Sequence, residues 1–226
     1  MINSLELPQL NFNTKNDFGI VIAGGRKPDN SWLKKVASNK EIYCADKGIE
    51  NALDNELIPK ILLGDCDSTD KSYYEKAEVC GTKIELHPTA KDDTDLQLLI
   101  KELPSKNYIF TGIWGGRFDH LFSNVFSILN YKLQENNQVI MADEKEIMFL
   151  VCANEDYEIK LRVQPKAISI LPLSEKINVS IKNVRWELEN SNLTMLKPYA
   201  ISNEALGNEF TFKCFSGCCG LYIVFD

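Results

Sequence analysis

Two carboxylates directly follow an apolar run in the first half of the chain. Residues 61–63 are typical of the end of a buried strand, and Gly64 allows a sharp exit before Asp65 and Asp67. Because side chains alternate along an extended chain, both carboxylates can project to one side, roughly 7 Å apart at their Cβ atoms. That spacing suits two ligands of one hard cation. The alternative is a solvated acidic turn, since Gly, Asp and Ser are common turn residues.

Two further polar motifs follow later strands. The first contains Asp92, Asp93 and Asp95, and the second contains Arg117 and Asp119. Loops after parallel strands emerge at one edge of the sheet, so these carboxylates are expected to face one crevice with the earlier pair. Clustered carboxylates repel each other without a cation, so the pattern predicts Mg²⁺ bridged to substrate phosphates, with Arg117 adding positive charge. Unrelated turns and helix caps are the alternative, because carboxylates are favoured at helix N-termini anyway.

The elements that must position these motifs alternate between strand and helix. The predicted strands cover residues 19–25, 41–45, 59–63, 82–86, 108–111, 138–142 and 146–151. The predicted helices lie at 31–38, 49–53, 71–79, 96–103 and 121–129. Ser31 is the expected cap of the first of these helices. This alternation predicts an α/β fold with a mostly parallel sheet and flanking helices.

After about residue 152 the pattern changes to strict alternation of apolar and polar residues. It recurs over 157–163, 177–181 and 210–214 without a helical segment between them. Period-2 patterning with turn signals predicts a small antiparallel β-sandwich that follows the α/β domain. We therefore expect two domains, 1–152 and 153–226.

Composition limits the partners of the chain. Its 226 residues are 25% charged and 44% hydrophobic, with a net charge of −7, as in an ordinary soluble globular protein. Without a basic face, a nucleic-acid partner is disfavoured. No apolar run approaches the ~20 residues of a membrane span. Residues 1–17 lack the pattern of a secretory signal, so we expect a cytoplasmic protein without a membrane partner.

The cysteines number seven. Three of them lie in or beside apolar strand-like runs and are expected to be reduced, buried thiols: Cys44, Cys66 and Cys152. Another three form a cluster near the end of the chain: Cys214, Cys218 and Cys219. No CxxC pair exists and both histidines are distant in sequence, which disfavours a zinc site.

Three of these motifs, in their order and spacing, resemble the thiamin pyrophosphokinase (thiamine diphosphokinase) family. They are Gly64-Asp65-Cys66-Asp67-Ser68, Lys91-Asp92-Asp93-Thr94-Asp95 and Gly115-Gly116-Arg117-Phe118-Asp119-His120. The resemblance continues through 183–188 and 201–204 and covers nearly all of 20–224. The family commonly has Ala-Asp-Gly-Gly where this chain has Ala45-Asp46-Lys47-Gly48, so Lys47 raises a question about how closely the backbone approaches ATP there.

The resemblance implies an enzyme that transfers the pyrophosphoryl group of ATP to the hydroxyethyl oxygen of thiamin, giving thiamin diphosphate and AMP. It further implies a homodimer with the active site at the interface. The first domain would be the catalytic domain that binds ATP and Mg²⁺, and the second would bind thiamin and contribute to dimerisation.

Residue roles also come from the resemblance. Mg²⁺ would be held by Asp65, Asp67 and Asp95. ATP would be bound by Asp46, Lys91, Asp92, Arg117 and Asp119. Catalysis would involve Asp65, Asp67, Asp92, Asp95, Arg117 and Asp119. Thiamin would be bound by Ser202 and Asn203, for which an ordinary turn is the alternative. Either Asp92 or Asp119 would accept the hydroxyl proton, and Trp186 is expected to be a core aromatic of the sandwich.

Three alternatives remain open from the residues alone. One is a pyrophosphokinase for another hydroxymethyl heterocycle, such as a pterin. A second is a glycosyl- or nucleotidyltransferase, which would explain Asp65 and Asp67 but not Arg117 and Asp119. The third is a non-catalytic nucleotide-binding module, which needs fewer converging carboxylates.

Overall fold

The computed structural model describes residues 3–14, 17–65, 69–88 and 92–225. Its strands are β1 (Asn3–Glu6), β2 (Leu10–Thr14), β3 (Phe18–Ile22), β4 (Ile42–Ala45), β5 (Ile61–Gly64), β6 (Lys83–Leu86), β7 (Asn107–Thr111), β8 (Val139–Ala142), β9 (Glu146–Cys152), β10 (Glu155–Leu161), β11 (Ala167–Pro172), β12 (Lys176–Lys182), β13 (Leu188–Thr194), β14 (Glu209–Ser216) and β15 (Cys218–Val224). Its helices are α1 (Asn30–Ala37), α2 (Gly48–Asp54), α3 (Lys71–Val79), α4 (Asp95–Glu102) and α5 (Phe118–Glu135).

The chain divides into two compact units, and the division differs from the expected boundary at 152/153. One unit is Phe18–Val139, and the other combines Met1–Asp17 with Ile140–Asp226. The physical reason is non-local strand pairing. The strand β2 pairs with β10, so the N-terminal hairpin belongs with the second half of the chain, and β9 pairs along its length with β15.

The unit Phe18–Val139 contains a parallel sheet in the order β7-β3-β4-β5-β6. All five residues of both β3 and β7 are buried, as expected for central strands covered on both faces. The helices α1 to α5 lie between or after these strands in the chain. The predicted α/β fold with flanking helices is confirmed.

Short polar side chains fix where α1 and α4 begin. Asp29, rather than the predicted Ser31, caps α1, because its carboxylate accepts the backbone N–H of Trp32 at 2.9 Å. Ser31 instead donates its hydroxyl to the same carboxylate. Thr94 caps α4 in a reciprocal arrangement with Gln97, which defines the first turn of that helix.

The second unit consists of antiparallel strands. One sheet has the order β1-β2-β10-β14-β12-β13, and β11, β15 and β9 pair antiparallel in that order. Aromatic rings pack between the two layers: the ring centroids of Phe12 and Phe149 are 4.9 Å apart, and those of Phe149 and Tyr157 are 5.2 Å apart. This arrangement confirms the predicted antiparallel sandwich, with the addition of β1, β2 and β9.

Two cysteines of this unit form a disulfide. Cys152 and Cys218 are direct register partners on β9 and β15, with Cα atoms 4.2 Å apart. The expectation of a reduced Cys152 was therefore wrong, because strand pairing brings together two thiols that are 66 residues apart in the chain. Cys44 is a buried thiol as predicted, and Cys66 lies outside the described residues.

None of the helices in the described part of the chain combines the length and the apolar character that crossing a membrane requires.

Candidate active site

A cavity of about 390 Å³ opens at the carboxyl ends of the parallel strands. It lies entirely within the unit Phe18–Val139. Four of the side chains predicted to bind metal or ATP line it together: Asp46, Asp65, Asp95 and Arg117. Its other lining residues include Gly24, Gly25, Asp93, Thr94, His120 and Asn124. The cavity lies at the edge of the sheet where ligands of α/β proteins usually bind.

One wall of the cavity is backbone, held by hydrogen bonds between the loops after β3 and β7. Gly25 donates its N–H to the carbonyl oxygen of Gly112 at 2.5 Å, and Arg26 donates to that of Trp114 at 2.6 Å. A Cβ atom at Gly25 would lie only 2.6 Å from the Gly112 oxygen. Gly112 itself has φ +67° and closely approaches the carbonyl of Ala23. These glycines therefore let two loops close together and leave backbone lining the cavity.

Asp46 follows β4 and turns the chain into α2. Its φ is +49°, and its N–H donates to the carbonyl oxygen of Leu63 at 2.9 Å. Gly48 allows α2 to start against the backbone of Ile22, where a Cβ atom would overlap the carbonyl. Lys47 has φ −56°, a helical conformation open to any residue, and is exposed. The backbone here therefore does not require glycine at position 47.

Two carboxylates of the cavity come from different elements. Asp65 directly follows β5, and Asp95 is the first residue of α4 with its Oδ1 atom buried. Asp93 also lines the cavity and forms an ion pair with Lys101 at 2.5 Å. Asp67 and Lys91, both predicted for this site, lie outside the described residues.

The start of α5 supplies the positive charge. Arg117 lines the cavity, and its guanidinium bonds both carboxylate oxygens of Asp119, with Nε 3.1 Å from Oδ1. This pairing lowers the pKa of Asp119 and raises that of Arg117. Asp119 is also held by the backbone N–H of His120, at 3.0 Å. The two side chains thus form a two-point ion pair at the exposed first turn of the helix.

Some predicted residues do not line this cavity. Asp92 is exposed, and neither it nor Asp119 belongs to the lining of the cavity in the described part of the chain. Asp119 contacts Arg117, which does line the cavity. Ser202 and Asn203 belong to the other unit.

Asn203 organises a polar and aromatic surface on that other unit. It is 8% exposed; its Oδ1 accepts the N–H groups of Trp186 at 3.0 Å and Glu204 at 2.9 Å, and its Nδ2 donates to the Trp186 carbonyl at 2.7 Å. Trp186 is 54% exposed and lies beneath the guanidinium of Arg185, 4.9 Å from the ring centroid. The expectation that Trp186 is a core aromatic was therefore wrong. Ser202 lies in a bend with a φ of +59°.

Asp93, which was expected to face this crevice, does line the cavity, whereas Thr94 and Asn124 line it without having been predicted. Asn124 lies one turn after His120 on α5 and two turns after Arg117, so helical spacing from a suspected residue was the available signal. His120, the last residue of the third motif, also lines the cavity.

The donor set of the cavity is chemically suited to a hard cation. Asp65 and Asp95 offer carboxylate oxygens, and Asp95 carries a buried one. In the part of the chain that the structure describes, no three His, Cys, Asp or Glu side chains are arranged to hold a metal ion. The two described carboxylates thus fit Mg²⁺ bound mainly by water and substrate phosphates, which is its usual mode.

Comparison with known families covers both units. Residues 33–141 match the family model described as "Thiamin pyrophosphokinase, catalytic domain", and residues 156–219 match "Thiamin pyrophosphokinase, vitamin B1 binding domain". The first match contains most of the cavity, and the second contains Trp186, Ser202 and Asn203.

Relatives and solved structures agree with these matches. A thiamine pyrophosphokinase of Bacillus subtilis is 30% identical over 203 residues, which is 87% of this chain and 94% of that protein. Thiamin pyrophosphokinase 1 of Caenorhabditis elegans is 28% identical over 166 residues, 69% of this chain and 66% of that protein. The crystal structure of the Bacillus subtilis enzyme superposes with a TM-score of 0.80 at 25% identity, covering 93% of this chain and all of that one. Thiamin pyrophosphokinase from Candida albicans shares the fold, with a TM-score of 0.74 at 18% identity, covering 92% and 89%. The carboxylate and arginine motifs at the sheet edge, both family matches and the Bacillus subtilis relative together show that the chain belongs to the thiamin pyrophosphokinase family.

Proposed function

We propose that this chain is a thiamin pyrophosphokinase that transfers the pyrophosphoryl group of ATP to the hydroxyethyl oxygen of thiamin. The observation that carries the proposal is the convergence of Asp46, Asp65, Asp95 and Arg117 on one cavity within the matched catalytic domain. In the reaction the thiamin oxygen forms a bond to the β-phosphorus of ATP. The bond between that phosphorus and the α,β-bridging oxygen breaks, AMP leaves, and the hydroxyl proton passes to a base.

ATP is the anionic substrate that this cavity suits. The glycine loops after β3 and β7 offer close backbone approach, and Arg117 presents a planar, permanently charged donor. Transfer of a phosphoryl-type group asks the protein mainly for positioning and charge neutralisation. Arg117 supplies both, because its pairing with Asp119 fixes the guanidinium at the cavity rim.

Mg²⁺ is the proposed cofactor, held by Asp65 and Asp95, with Asp67 as a third ligand predicted from the motif. When bound, the ion neutralises phosphate charge and orients the leaving group. We expect Asp95→Asn to raise the Mg²⁺ concentration that gives half-maximal turnover, while Asp93→Asn, at a neighbouring lining position, serves as the matched control. An unchanged Mg²⁺ requirement in Asp95→Asn would remove Asp95 from the metal site.

The electrostatics of α5 make one of the two candidate proton acceptors less suitable than the other. Arg117 lowers the pKa of Asp119, which makes that carboxylate a weaker base than an unpaired one. We therefore propose that Asp119 orients Arg117 and that the thiamin proton goes elsewhere, with Asp92 the remaining acceptor suggested by the motif.

Thiamin is proposed to bind the surface formed by Trp186 and its neighbours. An exposed indole offers a flat apolar face for an aromatic heterocycle. All the amide contacts of Asn203 described above go to the backbone of Trp186 and Glu204, so we propose that Asn203 positions Trp186 rather than contacting thiamin itself. Ser202, with an exposed side chain at the adjacent turn, is the proposed polar contact.

We also propose a homodimer in which the partner contributes to the active site. An apolar stripe on α5 supports it: Phe118, Phe122 and Phe126 are 76%, 55% and 36% exposed, and their rings contact one another in sequence along one helix face. The stripe begins beside Arg117. Light scattering after gel filtration tests it: Phe122→Ser is expected to shift the mass towards a monomer, and a monomeric wild type would contradict the proposal.

Incubation of the purified protein with Mg²⁺, ATP and thiamin tests the function, with a hydroxymethyl pterin in a parallel reaction. Formation of AMP and thiamin diphosphate is expected. Turnover of the pterin alone would assign the chain to the alternative substrate. Binding of ATP without any turnover would make it a nucleotide-binding module.

A further inference from the structure

Gln97 lies on the first turn of α4, and both ends of its side-chain amide are used. Its Oε1 accepts the backbone N–H of Thr94 at 2.8 Å, and the backbone N–H of Gln97 donates to the Thr94 hydroxyl at 3.3 Å. Its Nε2 donates to the hydroxyl of Ser127 at 3.0 Å and to that of Ser123 at 3.4 Å. Both serines belong to α5. One side chain therefore caps α4 and ties it to α5.

The direction of these bonds follows from chemistry. A backbone N–H can only donate, so the group of Gln97 that faces Thr94 must be the carbonyl oxygen. The amide nitrogen then has to face α5, where a serine hydroxyl accepts. The two interactions are thus fixed by one rotamer, and neither can be reversed without breaking the other.

The two elements that Gln97 joins both line the active-site cavity. The start of α4 contributes Thr94 and Asp95, and α5 contributes His120 and Asn124, with Arg117 immediately before it. The proposed metal ligand and the proposed phosphate ligand therefore sit on separate helices. Their spacing depends on how α4 and α5 are held.

A second cavity of about 430 Å³ is lined by residues of both helices, among them Gln97, Ile100, Lys101, Ser127 and Tyr131. Exposed side chains such as Gln134 also line it, so the cavity opens at the surface. Beside this opening, the hydrogen bonds from Gln97 to the two serines link α4 directly to α5.

We propose that Gln97 is a positioning residue for pyrophosphoryl transfer, an inference that rests on the proposed function. It holds the α4 wall with Asp95 in register with the α5 wall with Arg117, and it contacts no substrate. Misplacement of either wall lowers the rate of transfer more than it lowers thiamin binding, because catalysis is more sensitive to geometry than binding is.

Two variants separate positioning from capping. Gln97→Met removes both the cap and the link, whereas the paired change Ser123→Ala with Ser127→Ala removes the link and leaves the capping box intact. Each is expected to lower kcat about tenfold with the KM for thiamin unchanged. Because Gln97→Met and the serine pair both remove the link between α4 and α5, combining them should lower kcat no further than Gln97→Met alone. Gln134→Met, which alters another amide of the second cavity, is the control and should retain wild-type kcat.

A purely structural role predicts a different result. The serine pair would then keep wild-type kcat, and Gln97→Met would only lower the unfolding temperature; that outcome overturns the proposal. If the wild type makes no thiamin diphosphate, the proposed function fails, and the link is judged by binding of α,β-methylene-ATP, whose α–β bridge cannot be cleaved. Both variants should bind it about tenfold more weakly if Gln97 positions the walls, and equal affinity would overturn the inference.

Discussion

Arg117 and Asp119 form a two-point ion pair that begins α5 and sets the charge at the rim of the cavity. The guanidinium contacts both carboxylate oxygens, and both side chains are largely exposed, at 74% and 61%. An exposed pair contributes little to folding. We propose that the pair orients the guanidinium, because an arginine held by a carboxylate presents its remaining N–H groups to a phosphate in a fixed direction.

Replacing the arginine tests that orientation. Arg117→Lys keeps the charge but loses the planar fork, so we expect kcat/KM for ATP to fall by about 100-fold while the unfolding temperature stays close to that of wild type. Steady-state kinetics with calorimetry measures both. The control is Lys101→Arg, which changes a cation on α4 that pairs with Asp93. Wild-type kinetics in Arg117→Lys would show that the fork has no role.

The pH dependence tests the role of Asp119. The hydrogen bonds from Arg117 hold the folded pKa of Asp119 below its ordinary value of 3.8, so the carboxylate stays ionised at neutral and mildly acidic pH. The stability it contributes is present above its unfolded pKa and is lost as the pH falls through the folded pKa. We therefore expect Asp119→Asn to lower kcat at every pH between about 5 and 8 without moving the acid limb of the profile. A displaced limb would identify Asp119 as the titrating base.

Replacing Trp186 tests whether its ring belongs to a binding surface or to the core. Because the indole is 54% exposed, Trp186→Ala should raise the KM for thiamin about tenfold and leave stability nearly unchanged. Trp114, which is 5% exposed, is the matched control, and Trp114→Ala should cost about 3 kcal/mol of unfolding free energy. A large loss of stability in Trp186→Ala would contradict this distinction.

Counting the reactive thiols tests the disulfide between Cys152 and Cys218. Of seven cysteines, five should react with a thiol reagent in denaturant without reductant, and all seven should react after reduction. Cys152→Ser should lower the unfolding free energy by about 2–4 kcal/mol, because the bridge closes a long loop of the unfolded chain. Cys80→Ser, which alters an exposed thiol, should have no such effect. Seven reactive thiols before reduction would contradict the pairing.

Local patterns were enough to predict much of the cavity. Asp65 and Asp95 were predicted because each stands at the junction of a recognisable strand or helix, and the parallel-sheet rule then places such junctions at one edge. The same reasoning located Arg117. Asn124 was missed because the helical spacing from Arg117, which puts Asn124 two turns further along the chain, was not followed into α5.

Non-local pairing was beyond local patterns. The hairpin of β1 and β2 pairs with β10, and nothing in its composition indicates that partner. Asn13 and Glu158, which share one hydrogen bond there, are 145 positions apart in the chain. The Cys152–Cys218 bridge depends on the register of β9 and β15. Trp186 was misassigned because an aromatic residue among alternating strands is usually buried, whereas here Asn203 holds its backbone in a way that leaves the ring exposed.

Pyrophosphoryl transfer can be followed directly with ATP that carries ³²P at the γ-position, incubated with thiamin, Mg²⁺ and the purified protein. Transfer of an intact pyrophosphoryl group predicts label in thiamin diphosphate, one unlabelled AMP for each thiamin diphosphate, and no thiamin monophosphate at early times. Labelled thiamin monophosphate formed together with ADP would contradict the account.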